Sequence, residues 1–208
     1  MECSSKYYEA DIYMEKTENL NSIVKLLESV RTLYMAEKSK VQIFERFEFV
    51  SRNIVLKLLQ FINPTVKYVF DRRKLGLTSI MFNKDSMAIL KQRMEDRIED
   101  IVDKSFGTEL GVAYSLINEL KFSDSFIYIY SPSVIVKETY DGEVKDKVES
   151  DFMLMAYNGE MVSLKLAEIK TRASKKKQKK KQIKNYLMYF LGIDETLADE
   201  FATHIKER

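Results

Sequence analysis

The chain has 208 residues, 45% of them apolar, which is enough for one large domain or two small ones; 34 Lys and Arg against 32 Asp and Glu leave a net charge of only +2. One cysteine, Cys3, excludes an internal disulfide and a four-cysteine iron-sulfur cluster, and one histidine, His204, excludes a His/Cys zinc site and histidine-based nuclease chemistry, so any metal must rest on carboxylates. No apolar run approaches the roughly 18 residues of a membrane span, and no basic segment leads into an apolar stretch at the N-terminus, so a cytoplasmic protein with no membrane association is expected.

The first hundred residues read mostly as helices. Leu20, Ile23, Val24, Leu27, Val30 and Tyr34 follow the i, i+3, i+4, i+7 spacing of an amphipathic helix. A second helix over 40–62 is rich in Phe44, Phe47, Phe49, Leu56, Leu59 and Phe61, so it is buried on several sides, and Asn63-Pro64 ends it. Residues 65–70 form a short strand, followed by the basic loop Asp71-Arg72-Arg73-Lys74. A third helix, with Asp85 as its cap, sets Ile89, Leu90, Met94, Ile98, Ile101 and Val102 on one side. Its outward acids Glu95, Asp96, Glu99, Asp100 and Asp103 alternate with Arg93, Arg97 and Lys104, the pattern of a solvated, salt-bridged face.

From Ser105 the pattern becomes helix, strands, helix. A helix over 108–120 turns Leu110, Ala113, Tyr114 and Ile117 inward; β-branched and aromatic runs at 125–130 and 134–140 predict strands separated by Ser131-Pro132-Ser133, and Asp141-Gly142 marks a turn. Strands over 152–157 and 161–170 are apolar on both faces and so belong at the centre of a sheet. Helices over 177–191 and 195–206 follow, the second capped by Asp194. There is no internal repeat and no Gly-rich phosphate loop, so no nucleotide cofactor is expected.

Asn158-Gly159 between the two central strands is a hairpin signal that fixes a register. With these two residues at the corner, Tyr157 faces Glu160, Met153 faces Leu164 and Asp151 faces Leu166. Side chains alternate along a strand, so Glu168, Lys170 and Asp151 share one face, and the two acids are diagonal neighbours at roughly 7 Å, within reach of one hard cation. A one-residue slip would separate them. An acid on a strand flanked by Val162, Leu164, Leu166 and Ile169 is costly to bury unless a cation neutralises it. A second feature follows directly: every residue from Lys175 to Lys181 is lysine except Gln178, after Arg172. These lysines open a helix, where the macrodipole disfavours cations, and they repel one another; a phosphate backbone would relieve both costs.

Asp151, preceded by Ser150, and Glu168-Ile169-Lys170 resemble the site of the PD-(D/E)XK, or restriction-endonuclease-like, nuclease superfamily, with serine where the family usually has proline. Gly107-Thr108-Glu109-Leu110 is similar to the first motif of archaeal Holliday-junction resolvases, and Gln182-Ile183-Lys184-Asn185-Tyr186 to the Q-x-x-x-Y helix motif of RecB-type nucleases. The resemblance spans residues 105–191. It implies an α/β fold with a restriction-endonuclease-like core, a central mixed β-sheet flanked by helices, over 105–208, carrying a mainly helical N-terminal region over 1–104. It implies Mg²⁺ or Mn²⁺ held by Asp151, Glu168 and the Ile169 backbone carbonyl, with Glu109 binding through a water or completing a second position. Lys170 would orient the attacking water and Gln182 would steady the site. DNA would be bound through Arg172, Lys175, Lys176, Lys177, Lys179, Lys180, Lys181 and Tyr186.

The activity implied is a metal-dependent DNA endonuclease acting on branched or single-stranded DNA, as a homodimer. Composition rich in Lys, Glu, Ile and Tyr suits a heat-adapted source, and with the motifs the chain resembles nuclease-like proteins of archaeal spindle-shaped viruses, which act in the host-cell cytoplasm. Two other classes stay open: a catalytically silent nucleic-acid-binding module on the same fold, and a structural or interaction protein whose helical half binds a partner.

Overall fold

A computed structural model describes residues 6–15, 21–36, 40–70, 77–100, 104–123, 125–140, 143–170 and 176–204. The elements in chain order are β1 (Lys6–Glu15), α1 (Asn21–Ala36), α2 (Lys40–Ile62), β2 (Lys67–Phe70), β3 (Ser79–Met81), α3 (Lys84–Asp100), α4 (Lys104–Glu119), β4 (Ile127–Ser131), β5 (Val134–Tyr140), β6 (Glu143–Ser150), β7 (Phe152–Tyr157), β8 (Met161–Lys170), α5 (Lys176–Leu191) and α6 (Glu195–His204). Five strands form one sheet in the order β1-β8-β7-β4-β3, and three form a second in the order β2-β5-β6. The α/β class holds. Every described strand pairing is antiparallel, where a mixed central sheet is expected.

The large sheet is covered on both faces. On one, Met153, Met155, Leu164 and Leu166 pack against Ile23 and Leu27 of α1, Ile54 and Leu58 of α2, Tyr186 and Phe190 of α5, and Val134 and Val136 of the small sheet. On the other, Phe152, Ala167 and Ile169 pack against Leu90 and Met94 of α3 and Leu110 and Ile117 of α4. This two-sided burial explains why β7 and β8 are apolar on both faces.

The first hundred residues, with helices α1, α2 and α3, also contribute strands to both sheets. β1 pairs with β8 along its whole length, β3 pairs with β4, and β2 joins the small sheet. Residues on both sides of position 104 share each apolar cluster. The strand β1 escapes notice because KYYEADIYME places charges among its aromatics.

Local chemistry sets the element ends. Asn63 closes α2: its amide Nδ2 donates to the Tyr189 carbonyl at 3.0 Å, while its Oδ1 accepts from Thr65 Oγ1 at 2.6 Å, tying the helix end to α5. The cap of α3 is Asn83 rather than Asp85. Asn83 Oδ1 accepts the Ser86 N–H at 2.9 Å and Ser86 Oγ accepts the Asn83 N–H at 3.1 Å, a reciprocal capping box. Asp194 caps α6 as expected, accepting the Thr196 and Leu197 N–H groups at 3.1 Å each. The acids Glu95, Asp96 and Glu99 of α3 are exposed, Asp96 taking a bond from Gln92 at 2.8 Å and Glu95 one from the Tyr114 hydroxyl of α4. The basic loop at 71–74, residues 101–103 and the side chains of Phe44, Phe47 and Phe49 lie outside what is described. No described helix is long and apolar enough to cross a membrane.

Candidate metal centre at the hairpin bend

β4–β5 and β6–β7 are two halves of one long hairpin that changes sheet midway. Ser131 pairs with Met153 in the large sheet and Val134 with Ser150 in the small one, in the same register across the bend; a shift follows only between Val136 and Lys137. The break falls at Pro132-Ser133 and at Asp151. Proline has no N–H to give to a ladder, and Ser133 adopts a φ of 55°, a left-handed conformation rare outside glycine. Ladder bonding therefore lapses at Asp151. Its carboxylate Oδ2 accepts the Ile169 N–H at 2.8 Å instead, which pins it against β8.

The β7–β8 register differs by two residues from the one expected. Met153 pairs with Leu166 and Phe152 with Ala167. The corner is Gly159-Glu160, closed by the Asn158 N–H donating to the Met161 carbonyl at 3.3 Å. Gly159 has a φ of 101° and holds the first central position, the place a type II′ turn reserves for glycine. Asn158 stays outside the corner because its Oδ1 accepts the N–H groups of Glu160 at 3.0 Å and Met161 at 2.8 Å.

A shift of two preserves the alternation of faces. The β7–β8 pairing ends at Phe152 and Ala167, and beyond it the bond from the Ile169 N–H holds the Asp151 carboxylate against β8 next to Glu168. The N–H and C=O of one strand residue point to the same side, so the Ile169 carbonyl opens toward Asp151, as its N–H does. β8 runs without interruption to Lys170, which pairs with Lys6 of β1; the Lys170 side chain lies outside what is described.

Two buried tyrosines bracket Asp151. Tyr186, on the α5 side of the sheet, is held through a 2.6 Å bond between its hydroxyl and Ser150 Oγ, which itself donates to the Phe152 carbonyl at 2.8 Å. Its pKa is pushed well up, first by burial and then by the Asp151 and Glu168 charges, against a lowering by the Ser150 bond. Tyr130, on the α4 side, is fully buried and its hydroxyl has no hydrogen-bond partner among the described residues. Burial raises its pKa, and the charges of Asp151 and Glu109 raise it further. Asp151 is thus felt through both faces, with Glu168 and α5 on one and Glu109 and α4 on the other.

Glu109 is the sixth residue of α4, which begins at Lys104 rather than at Thr108. Among the described residues no three His, Cys, Asp or Glu side chains cluster closely enough to hold a metal, so Glu109 does not complete a trio with Asp151 and Glu168. Gln182 sits one helical turn before Tyr186, and its Oε1 is buried without a hydrogen-bond partner among the described residues.

The expected nucleic-acid contacts divide. Tyr186 is only 7% exposed, so its ring belongs to the core and offers no face for a base; it packs on Phe190 at 4.9 Å between centroids. Lys180 is ion-paired with Asp199 of α6 at 2.9 Å, and Lys181 is exposed. Lys176, Lys177 and Lys179 lie in the first turn of α5 with side chains outside what is described, as are Arg172 and Lys175 altogether.

Two site residues carry no obvious sequence signal. Ser150 stands out only as a departure from proline, yet it anchors α5 to the bend. Tyr130 reads as one more aromatic in a strand, although an inward phenol always raises the question of its partner. No family model matches the chain, and no curated protein or solved structure matches it.

Proposed function

We propose that the chain is a metal-dependent deoxyribonuclease of the PD-(D/E)XK kind, acting on branched or single-stranded DNA. One observation carries the reading: at the hairpin bend the Asp151 carboxylate accepts the Ile169 N–H at 2.8 Å, beside Glu168 in the sequence of β8. The donor set consists of oxygens only, two carboxylates and a carbonyl, which fits Mg²⁺ or Mn²⁺ and not a soft metal. Water and substrate oxygens would make up the remaining positions. When bound, such a cation polarises the phosphoryl oxygen and acidifies the attacking water.

The chain's own residues then have separate tasks. Asp151 and Glu168 hold the charge at the sheet end, and the Ile169 N–H keeps the Asp151 carboxylate from rotating away. Lys170 would orient the water and offset negative charge developing on the phosphoryl oxygens; attack in line with the P–O3′ bond would break that bond, leaving a 5′-phosphate and a 3′-hydroxyl. Glu109 acts through an intervening water. Gln182 steadies the site from α5, with its buried Oε1 as the available acceptor.

A second reading, a silent DNA-binding module, is favoured by the lack, among the described residues, of a third acid close to the pair. Labelled duplex, single-stranded and four-way DNA incubated with Mg²⁺ or Mn²⁺ decides between them. Cleavage of branched or single-stranded DNA by the wild type that disappears in Asp151→Ala is expected; binding with none of the three substrates cut would replace the first reading with the second. A homodimer, so that two sites can cut two strands, is part of the same proposal and is read by the solution mass.

A further inference from the structure

We propose that α6 is an acidic latch over a polyphosphate-binding face of α5: Asp199 and Glu195 occupy Lys180 and Lys184, and a DNA backbone competes with them for those ammonium groups. This rests on the reading above only in taking DNA as the polyanion.

Lys180 and Lys184 are one helical turn apart and share a face of α5. Lys180 Nζ lies 2.9 Å from Asp199 Oδ2, and Lys184 Nζ lies 2.8 Å from Glu195 Oε1 and 3.8 Å from Asp199 Oδ1. Two carboxylates thus meet two ammonium groups much as successive phosphates would. The bond from Lys180 holds the Asp199 carboxyl below its ordinary range, and the bond to Glu195 holds Lys184 above its own.

The contact is built to be exchanged. The side chains of Lys180 and Asp199 are 43% and 49% exposed, and exposed ion pairs are weak and easily replaced. Behind them α6 rests on α5 through a small apolar cluster, Ala198 and Ala202 with Ile183 and Leu187, against which Met188 and Ile193 also pack. Its other face leaves Leu197 and Phe201 in solvent. Lys181, next to the latched pair, is exposed and offers a first contact to an incoming strand.

The condensed counterions belong to DNA and are released only where a lysine reaches a phosphate, so lysines that spend part of their time on Asp199 and Glu195 lower the salt dependence of DNA binding. Releasing them should steepen the slope of log K against log salt by roughly 0.9 per lysine for duplex DNA. The test is a salt series of anisotropy titrations with labelled duplex in EDTA, wild type beside the double variant Asp199→Asn, Glu195→Gln. Several-fold tighter binding with a steeper slope is expected, abolished by adding Lys180→Gln and Lys184→Gln. Unchanged affinity and slope, or no binding by either protein, overturns the latch.

Hydrogen exchange on the wild type gives an independent check: DNA should speed exchange of the α6 amides, and unaltered exchange overturns the proposal. Because EDTA removes the metal, these results are separate from catalysis. A chain that binds in this way and cuts nothing retains the latch and loses the nuclease reading; one that cuts with no latch effect does the reverse.

Discussion

Asp151 illustrates how one side chain can serve fold and site together. Its carboxylate satisfies the Ile169 N–H, a backbone donor that would otherwise go unpaired where the ladder ends. Asp151→Ala should therefore cost about 1–3 kcal/mol in chemical denaturation, because a half-buried donor loses its acceptor, whereas Asp151→Asn keeps an acceptor oxygen and stays within about 1 kcal/mol of wild type. Both should abolish cleavage. The tyrosines on either side behave in opposite ways. Tyr186→Phe removes the bond to Ser150 and should destabilise by about 1 kcal/mol. Tyr130→Phe removes a hydroxyl with no partner among the described residues and should leave stability unchanged or raise it by up to about 1 kcal/mol, measured the same way.

At the scale of elements, the hairpin turn is where sequence reasoning found the right strands and the wrong corner. β7 and β8 were legible from their apolar runs, down to their end residues. The register was not, because Asn158-Gly159 and Gly159-Glu160 are both acceptable corners, and the choice was made by the Asn158 side chain turning back onto two N–H groups. The site survived the error because a two-residue shift preserves which face each side chain occupies. Gly159→Ala should cost about 1–2 kcal/mol, since a φ of 101° is unfavourable for any residue with a Cβ; no change in stability would contradict the corner assigned here. The strands β1, β3 and β6 were missed because their apolar alternation is broken by charge or is too short. What no local pattern signals is the change of sheet at Pro132-Ser133 and Asp151, and that change presents the acid.

For the whole molecule, α/β class and helices at nearly every expected place followed from periodicity, while the strands β1 and β3 that the first hundred residues add to the large sheet did not. Long-range pairing decides this: β1 completes the sheet that carries the site, so removing residues 1–15 should expose the β8 edge and produce an aggregating or unfolded chain. A truncated protein that melts as the wild type does would contradict that account. The buried tyrosines set the alkaline limit. Tyr68, Tyr130 and Tyr186 have folded pKa values raised by burial, so the folded state retains protons that the unfolded chain releases near its ordinary pKa of about 10. Their contribution is complete below that pH and is lost as pH rises above it. Denaturation midpoints should fall in this range, with tyrosinate absorbance from these residues appearing only on unfolding.

The central claim is that Asp151 and Glu168 converge on one divalent cation at the hairpin bend. Calorimetric titration with Mn²⁺ tests it most directly, on the wild type, Asp151→Asn and Glu168→Gln, each checked to be folded. The account requires one site in the wild type, weakened at least tenfold by either substitution. Equal Mn²⁺ affinity in all three proteins, or no binding by any, would contradict it.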